Sequence, residues 1–354
     1  MVAPNHTAVD LALPPLDVRA LARRAAVPAA LALAAVGAVL LAQGRVHAVS
    51  DAINRGLNVS PGWAAVAIVF ECASLAGYVG LLSLVAGRAA PRVGVRESAQ
   101  ITLAGAAATR LLPTAGAGGL ALAFWALRQA GLRMRSATRT LLAFLVVLYS
   151  VFLGSVLLSG TALASGLVTH HGPVELGAIP AAVAALGIVA ALALAATRRV
   201  ESDAGTDDAP DVARQGSRIK VSAHLVGDAV RDALGLIRSG DARLAGAAAY
   251  WAFDAAVLWA MLHALGSPPA LPVVVLAYFV GQVANTLPLP GSVSGGIASV
   301  LIAFGVGPTL AIPAVLAYRT VAVWLPTPAA IAAVPALRRT VARWRSESGT
   351  AASH

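Results

Sequence analysis

The chain of 354 residues is 58% hydrophobic and only 12% charged, and its mean hydropathy is +0.78. Soluble domains carry about 25% charged residues, so this composition excludes an ordinary soluble protein and predicts a polytopic membrane protein. The net charge of +10 would suit a nucleic-acid partner, but the basic residues are scattered at the ends of apolar segments. They therefore predict membrane orientation and contact with anionic headgroups, and no binding of nucleic acid.

Six apolar segments are long enough to cross a hydrocarbon core of about 30 Å. They cover residues 25–43, 62–87, 138–160, 177–197, 244–266 and 308–333. The predicted fold is therefore all-α, with a cytoplasmic N-terminal segment at 1–24, a transmembrane domain at 25–340 and a cytoplasmic tail at 341–354. No convincing cleavage site follows the first span, so it is predicted to remain as an uncleaved helix.

Two further apolar stretches, 97–131 and 271–306, are broken near their centres by glycine and proline. The first break reads RLLPTAGAGG at 110–119, and the second reads NTLPLPGSVSGG at 285–296. Each arm is about ten to seventeen residues long, short of the roughly 20 that an untilted span needs. Broken backbone at membrane depth is tolerated where protein or a water-filled cavity satisfies it. These stretches therefore predict two re-entrant helical hairpins.

The distribution of Lys and Arg predicts the orientation of the chain. With the N-terminus inside, 22 of the 26 Lys and Arg residues lie in the N-terminal segment, the inside loops and the tail. Both termini are then predicted to be cytoplasmic. Three spans separate the hairpins, so one is entered from each side, as in an inverted repeat with a transport site near the midplane. Glycine and proline as ordinary helix-packing residues remain the alternative.

The inside loop at 198–243 has two parts. Residues 201–211 are acidic and rich in Gly, Thr and Pro, which predicts a disordered linker. Residues 218–240 place apolar side chains at helical spacing, which predicts an amphipathic helix. This helix lies either on the inner leaflet or, as an elbow, against the protein.

Four ionisable residues lie deep within predicted membrane segments: Glu71, Arg110, Asp254 and Arg319. A charge at the bilayer centre costs about 2.5–3.5 kcal/mol on insertion scales, so such residues pair or face a cavity. Each arginine belongs to, or closely follows, a break, and guanidinium donors match phosphate oxygens. We therefore predict that the arginines bind substrate phosphate and that the acids couple charge or protons. Salt bridges that orient the helices are the alternative.

Other predicted substrate-binding residues lie in the two breaks and in the last span. They are Pro113, Gly118, Gly119, Asn285, Thr286, Pro290, Gly295, Gly296 and Tyr318. Half-helices that begin near Gly118-Gly119 and Gly295-Gly296 would point free N–H groups at the midplane, where they suit an anionic headgroup. Gln282 is predicted to form an interhelical hydrogen bond. The sequence contains no Walker motif, HExxH, GxSxG or CxxC, and predicts no catalytic site, metal or cofactor.

Several of these motifs resemble those of a known family. LPLPGSVSGG at 287–296 and AYRTVAVWLP at 317–326 are similar to the N-x-(L/I)-P-x-P-G-G and Y-R…W-x-P elements of the flippase-like transmembrane domain of bacterial lysylphosphatidylglycerol synthases and its stand-alone relatives. LLPTAGAGG at 111–119, followed by ALRQAGL at 126–132, resembles the family's L-P…G-(G/E) and L-R-x-x-G elements. The resemblance covers roughly residues 25–340.

The resemblance implies a flippase-like lipid translocase whose partners are anionic or zwitterionic phospholipids or polyprenyl-linked lipids. Family members often carry a Glu where Ala298 and Ser299 stand, and an Asn where Thr109 and Arg110 stand. A basic aminoacyl lipid requires an acid at its site, so these departures count against a lysyl-lipid substrate. Without a synthase domain, no enzyme activity is expected. An enzyme partner or a homo-oligomer is left open, and a non-transporting accessory subunit of a lipid-modifying enzyme or glycosyltransferase is the alternative function.

Overall fold

The protein is a bundle of α-helices in the residues that the computed structural model describes, which are 59–111, 117–168, 172–203, 216–286 and 291–351. The helices are α1 (Pro61–Ala89), α2 (Val95–Leu111), α3 (Ala117–Gln129), α4 (Met134–Ala164), α5 (Glu175–Asp203), α6 (Gly216–Arg238), α7 (Ala245–Leu265), α8 (Leu271–Val283), α9 (Ser292–Ala303), α10 (Pro308–Trp324) and α11 (Thr327–Ala351). These ranges contain no strand, which confirms the all-α fold.

Within the same ranges, five helical stretches are long and apolar enough to cross a membrane. They are Pro61–Ala89, Met134–Ala164, Glu175–Ala196, Ala242–Leu265 and Pro308–Glu347. The protein is thus a polytopic membrane protein, as its composition predicts. The predicted N-terminal segment at 1–24 and the predicted span at 25–43 lie outside the described residues.

The predicted span at 308–333 differs from the structure, because it divides into α10 and α11 at Leu325 and Pro326. Helix α11 continues past residue 340, where the sequence predicts the end of the transmembrane domain. Its side chains are held there by hairpin contacts, since the buried Thr340 donates from Oγ1 to Gln100 Oε1 of α2 at 2.8 Å. Trp344, one turn further along, is also buried.

Both predicted hairpins are present as pairs of short helices, α2–α3 and α8–α9, whose arms pack against each other. In the first hairpin a Cβ added to Gly105 would lie 3.4 Å from Gly119 Cα. In the second, a Cβ added to Gly296 would lie 3.1 Å from Gly281 Cα. The arms therefore touch backbone to backbone at one glycine pair in each hairpin.

The bases of the two hairpins lie at opposite ends of the bundle. Helix α4 begins five residues after Gln129, the last residue of the first hairpin, and its 31 residues extend about 45 Å. Beyond its far end, Gly172 lies against the ring of Phe304, directly after the second hairpin, where an added Cβ would be 2.5 Å from Cδ1. Along the chain, a long helix, a hairpin and another helix follow one another twice: α1 to α4 and α7 to α10.

Helices α1 and α7 form the centre of the bundle and cross closely. A Cβ added to Gly77 would lie 2.7 Å from the carbonyl oxygen of Gly246, so the crossing requires glycine at this point. Nearby, Ser74 Oγ donates to the carbonyl of Tyr250 at 2.9 Å. Close packing at small residues is the usual way in which membrane helices associate.

The predicted amphipathic helix at 218–240 is α6, and it packs as an elbow against the protein. Its apolar residues Val230 and Ala233 are buried, and the helix contacts α4 and α5. Asp232 on α6 also accepts two hydrogen bonds from Arg139 on α4. Of the predicted acidic linker, residues 201–203 belong to α5, and the remainder lies outside the described residues.

Candidate functional site

Three helix ends meet at one side of the candidate site. Trp63, near the beginning of α1, lies 5.2 Å from the ring of His263 near the end of α7, measured between centroids. Gly266, which ends α7, faces Leu310 near the beginning of α10, because an added Cβ would lie 3.1 Å from Leu310 Cδ1. Distances along these three helices can therefore be measured from a common end.

Glu71, Asp254 and Arg319 lie at similar depth below that common end. Glu71 is ten residues from the beginning of α1, Arg319 eleven from the beginning of α10, and Asp254 eleven from the end of α7. A helix rises about 1.5 Å per residue, so each lies about 15 Å along its helix. This is half of a hydrocarbon core of about 30 Å. Three of the four predicted intramembrane charges are thus at mid-depth.

The carboxylate of Asp254 is the centre of a polar cluster. Tyr278 on α8 donates from Oη to Asp254 Oδ2 at 2.6 Å. The other oxygen, Oδ1, is buried and receives no hydrogen bond of normal geometry within the described residues. Tyr318 and Arg319 on α10 interact with the same carboxylate electrostatically. The cluster therefore joins α7, α8 and α10.

Two further polar residues extend this cluster. Gln282 on α8 donates from Nε2 to Tyr318 Oη at 3.3 Å, which confirms it as an interhelical hydrogen-bond partner. Glu71 is buried on α1 and interacts electrostatically with Tyr250 and Tyr318. We call Glu71, Asp254, Tyr278, Gln282, Tyr318 and Arg319 the mid-depth cluster.

An aromatic wall supports the mid-depth cluster from the side of α4. Trp251 Nε1 on α7 donates to the carbonyl of Leu148 on α4 at 2.8 Å. Phe152 on α4 meets the ring of Phe279 on α8 edge to face, with 4.8 Å between centroids. Because Phe279 follows Tyr278 directly, these ring contacts hold the donor of Asp254 in place.

The first hairpin is closed by the side chain of Thr109, which the sequence identifies only as a departure from the family's Asn. Thr109 Oγ1 accepts from the N–H of Gly119 at 3.0 Å and donates to the carbonyl of Gly105 at 3.0 Å. The N–H of Gly119 is therefore satisfied within the hairpin. Gly118, beside it, is buried. The backbone of Arg110 belongs to α2, whereas its side chain and Pro113 lie outside the described part of the chain.

The second break differs from the predicted half-helix start near Gly295-Gly296. Helix α9 begins at Ser292, after Gly291 in a left-handed conformation with φ of 82°. The N–H of Gly295 already donates to the carbonyl of Gly291 at 2.8 Å. The N-terminus of α9 therefore lies three residues before Gly295, at Ser292.

The remaining residues predicted from the second break either lie apart from the mid-depth cluster or lie outside the residues that the structure describes. Gly295 is exposed, and Gly296 packs on Gly281. Asn285 is exposed in a short 3₁₀ turn after α8. The side chain of Thr286 and all of Pro290 lie outside the described residues.

Sequence reasoning missed Tyr278 and Thr109. Tyr278 precedes Gln282 by four residues, and residues four apart lie on one face of a helix, so the pair was a detectable polar stripe on an otherwise apolar arm. Thr109 is ten residues from Gly119 across the break. No helical period relates these two positions, and only the folded hairpin brings them together.

Long apolar helices, two broken hairpins and charged residues at mid-depth define a polytopic helical membrane protein with a candidate intramembrane site. The sequence matches the family described as Lysylphosphatidylglycerol synthase TM region over residues 17–330. The chain belongs to this family, which confirms the resemblance and makes it a membrane lipid-related protein. No curated protein matches the sequence significantly.

Proposed function

We propose that the protein is a flippase-like lipid translocase and not an enzyme. It moves a phospholipid or a polyprenyl-linked headgroup across a bacterial-type inner membrane, with both termini in the cytoplasm. The headgroup passes through a site near the midplane between the two hairpins. Membership of a lipid-related membrane family supports this proposal.

The observation that carries the proposal is the mid-depth cluster. Glu71, Asp254 and Arg319 lie on three different helices at similar depth. Charges at this depth are costly unless they pair or face a cavity, and in membrane proteins they mark substrate or ion pathways. In our proposal Arg319 holds the phosphate of the headgroup, and the two acids balance its charge or carry protons.

The two hairpins provide the moving parts. Their bases lie at opposite ends of the bundle, and each hairpin is preceded by a long helix and followed by another helix along the chain. We propose that they are related as an inverted repeat, and that access alternates when one repeat rocks against the other. Arg110 lies in the first hairpin at a place equivalent to the tip of the second, so it would meet the headgroup from the opposite side.

The breaks supply the remaining headgroup contacts in this proposal. In our proposal the N-terminus of α9, at Ser292, directs the positive end of its helix dipole towards an anionic headgroup. Gly119 and Gly296 bring the arms of each hairpin together and so shape the site. The other residues proposed to line the headgroup path are Pro113, Gly118, Asn285, Thr286, Pro290, Gly295 and Tyr318.

Lipid scrambling in reconstituted vesicles tests this function. Fluorescent phosphatidylglycerol and phosphatidylcholine are reduced from outside by dithionite, and the rate reports exchange between leaflets. Arg319→Gln should slow exchange of the preferred lipid by at least about tenfold, since it removes a charge-assisted contact. The control is Arg338→Gln, an exposed arginine of α11, which should retain the wild-type rate.

Two results would count against the proposal in different ways. If vesicles with the wild-type protein scramble no faster than empty vesicles, the transport function is wrong. If the wild type scrambles and Arg319→Gln does so equally fast, transport stands but the role of the mid-depth cluster is wrong. A stoichiometric enzyme partner in native membranes, together with no transport by the isolated chain, would support the accessory-subunit alternative.

A further inference from the structure

A second polar region lies at the arginine-rich end of the bundle, away from the mid-depth cluster. An open cleft of about 520 Å³ is formed there by α1, α4 and α6. Its polar lining comprises Arg88, Ser136, Arg139, Thr140, Arg231 and Asp232. Arg88 is seventeen residues from Glu71 on α1, which is about 25 Å along the helix. The cleft is therefore a separate site, and we call it the arginine cleft.

The guanidinium groups of the arginine cleft are held in place by carboxylates. Arg139 donates two hydrogen bonds to Asp232, and Arg231 pairs with Asp228. A guanidinium has five N–H donors, of which one carboxylate takes at most two in a bidentate pair. Each arginine thus keeps donors for a further anion while its position is fixed.

Arg88 is held in the same way at the edge of the cleft. It donates from Nη2 to Ser239 Oγ at 3.0 Å and lies 3.7 Å from Asp241 Oδ2. Asp241 also pairs with Arg243 at 2.8 Å. In the part of the chain that the structure describes, four arginines (88, 139, 231 and 243) thus pair with three aspartates (228, 232 and 241), one more arginine than aspartate in and beside the cleft.

A buried donor in the cleft lacks an acceptor. Arg231 Nε has no hydrogen-bond partner among the described residues, although the atom is buried. Leaving a charged donor unpaired in a buried position is unfavourable, so an oxygen acceptor is expected beside it. Ser136 and Thr140 add hydroxyl groups to the same lining.

We propose that the arginine cleft binds a phosphate group. Arg88 lies in the last turn of α1 and Arg139 in the second turn of α4, so the cleft is at the ends of two spans, which is the level of lipid headgroups. The planar fork of donors on a guanidinium held in a fixed position matches phosphate oxygens in bidentate geometry. The phosphate comes either from an anionic lipid headgroup or from free phosphate. This site does not depend on the translocase function proposed above.

Ligand-induced stabilisation of the purified full chain tests this site. The chain in neutral detergent is titrated with inorganic phosphate and, separately, with dihexanoylphosphatidylglycerol, and the rise in Tm gives each affinity. We expect saturable binding of at least one of them. Arg231→Gln should weaken that binding about tenfold through loss of a charge-assisted contact. Arg338→Gln, an exposed arginine of α11 outside the cleft, should bind as the wild type does.

The pattern of responses identifies the source of the phosphate. A response to inorganic phosphate supports a site for the free ion, and a response to the lipid alone supports a headgroup site. No response to either ligand, or an equal loss of affinity in the Arg231 and Arg338 variants, overturns the proposal. If Arg231→Gln is not folded, Ser136→Ala replaces it, with an expected loss of about threefold from one neutral hydrogen bond. Binding is measured without transport, so its failure is distinct from failure of the translocase proposal.

Discussion

The two hairpins share a backbone design but differ in their chemical surroundings. Each is closed by a glycine pair, Gly105 with Gly119 and Gly281 with Gly296. The first is also fastened by the hydroxyl of Thr109, which takes up backbone groups on both arms. The second lies beside the mid-depth cluster, to which it contributes Tyr278 and Gln282. The glycines thus serve the break itself, and the polar chemistry is concentrated on one hairpin and the helices that flank it.

The largest expected effect comes from the glycine pair of the second hairpin. A Cβ at Gly281 would lie 2.8 Å from the backbone N of Ile297 and against its side chain, so the arms must separate. Gly281→Ala should lower the free energy of unfolding by about 1–3 kcal/mol, as overpacking does in other cores. Thermal unfolding in detergent measures this loss.

The matched substitution in the first hairpin sharpens the comparison. A Cβ at Gly105 would be 3.4 Å from Gly119, and alanine favours a helix over glycine by about 1 kcal/mol. Gly105→Ala should therefore leave stability unchanged or raise it slightly. Equal losses for the Gly105 and Gly281 variants would show that the two hairpins are packed equally tightly, against the structure.

The next effect concerns the donor to Asp254. Tyr278→Phe removes the hydroxyl that donates to Oδ2 and leaves a buried carboxylate with one donor fewer, which costs about 1–3 kcal/mol. Unfolding of Tyr278→Phe, Asp254→Asn and the double variant gives the coupling energy between them. Tyr149→Phe is the control, since Tyr149 is 49% exposed. If the losses of the two single variants add up to the loss of the double variant, the coupling energy is zero and this hydrogen bond does not stabilise the second hairpin.

The sequence predicts the hairpins well because proline and glycine interrupt the helix in an apolar stretch, and each remaining arm is too short to span the membrane. It also identifies Glu71, Asp254 and Arg319, since a charge in an apolar helix stands out against its neighbours. It does not identify the partners of these charges, because the spacing puts Tyr278 and Gln282 on one helix face but only the fold places the Tyr278 hydroxyl 2.6 Å from Asp254. The sequence predicts that α9 begins near Gly295, whereas the positive φ of Gly291 allows the helix to begin at Ser292.

A smaller effect is expected at the fastening of the first hairpin. Thr109→Val keeps the shape of the side chain but removes both of its hydrogen bonds. The loss should be about 1 kcal/mol, as for a helix cap. Scrambling should fall less than in Arg319→Gln, because Thr109 supports the backbone of the first hairpin and is not among the residues proposed to contact the headgroup. Thr320→Val on the exposed surface of α10 is the control. A loss of transport as large as that of Arg319→Gln, without a loss of stability, would place Thr109 itself among the headgroup contacts.

The smallest effect concerns the N-terminal ends of α1 and α7, the helices that begin the two helix–hairpin–helix segments α1–α4 and α7–α10. Ser60 gives α1 no side-chain cap, whereas Asp241 precedes α7 and accepts from the side chain and backbone of Arg243, which lowers the pKa of its carboxyl from 3.8 to about 2. Because the folded pKa is the lower one, this stabilisation is complete above the unfolded value and is lost as pH falls towards the folded value. Comparing Tm at pH 7 and in that acidic window should show a smaller acid-induced loss for Asp241→Asn than for the wild type. Glu347→Gln, exposed on α11, is the matched control. If the wild type and Asp241→Asn show the same pH dependence of Tm, Asp241 does not stabilise the start of α7.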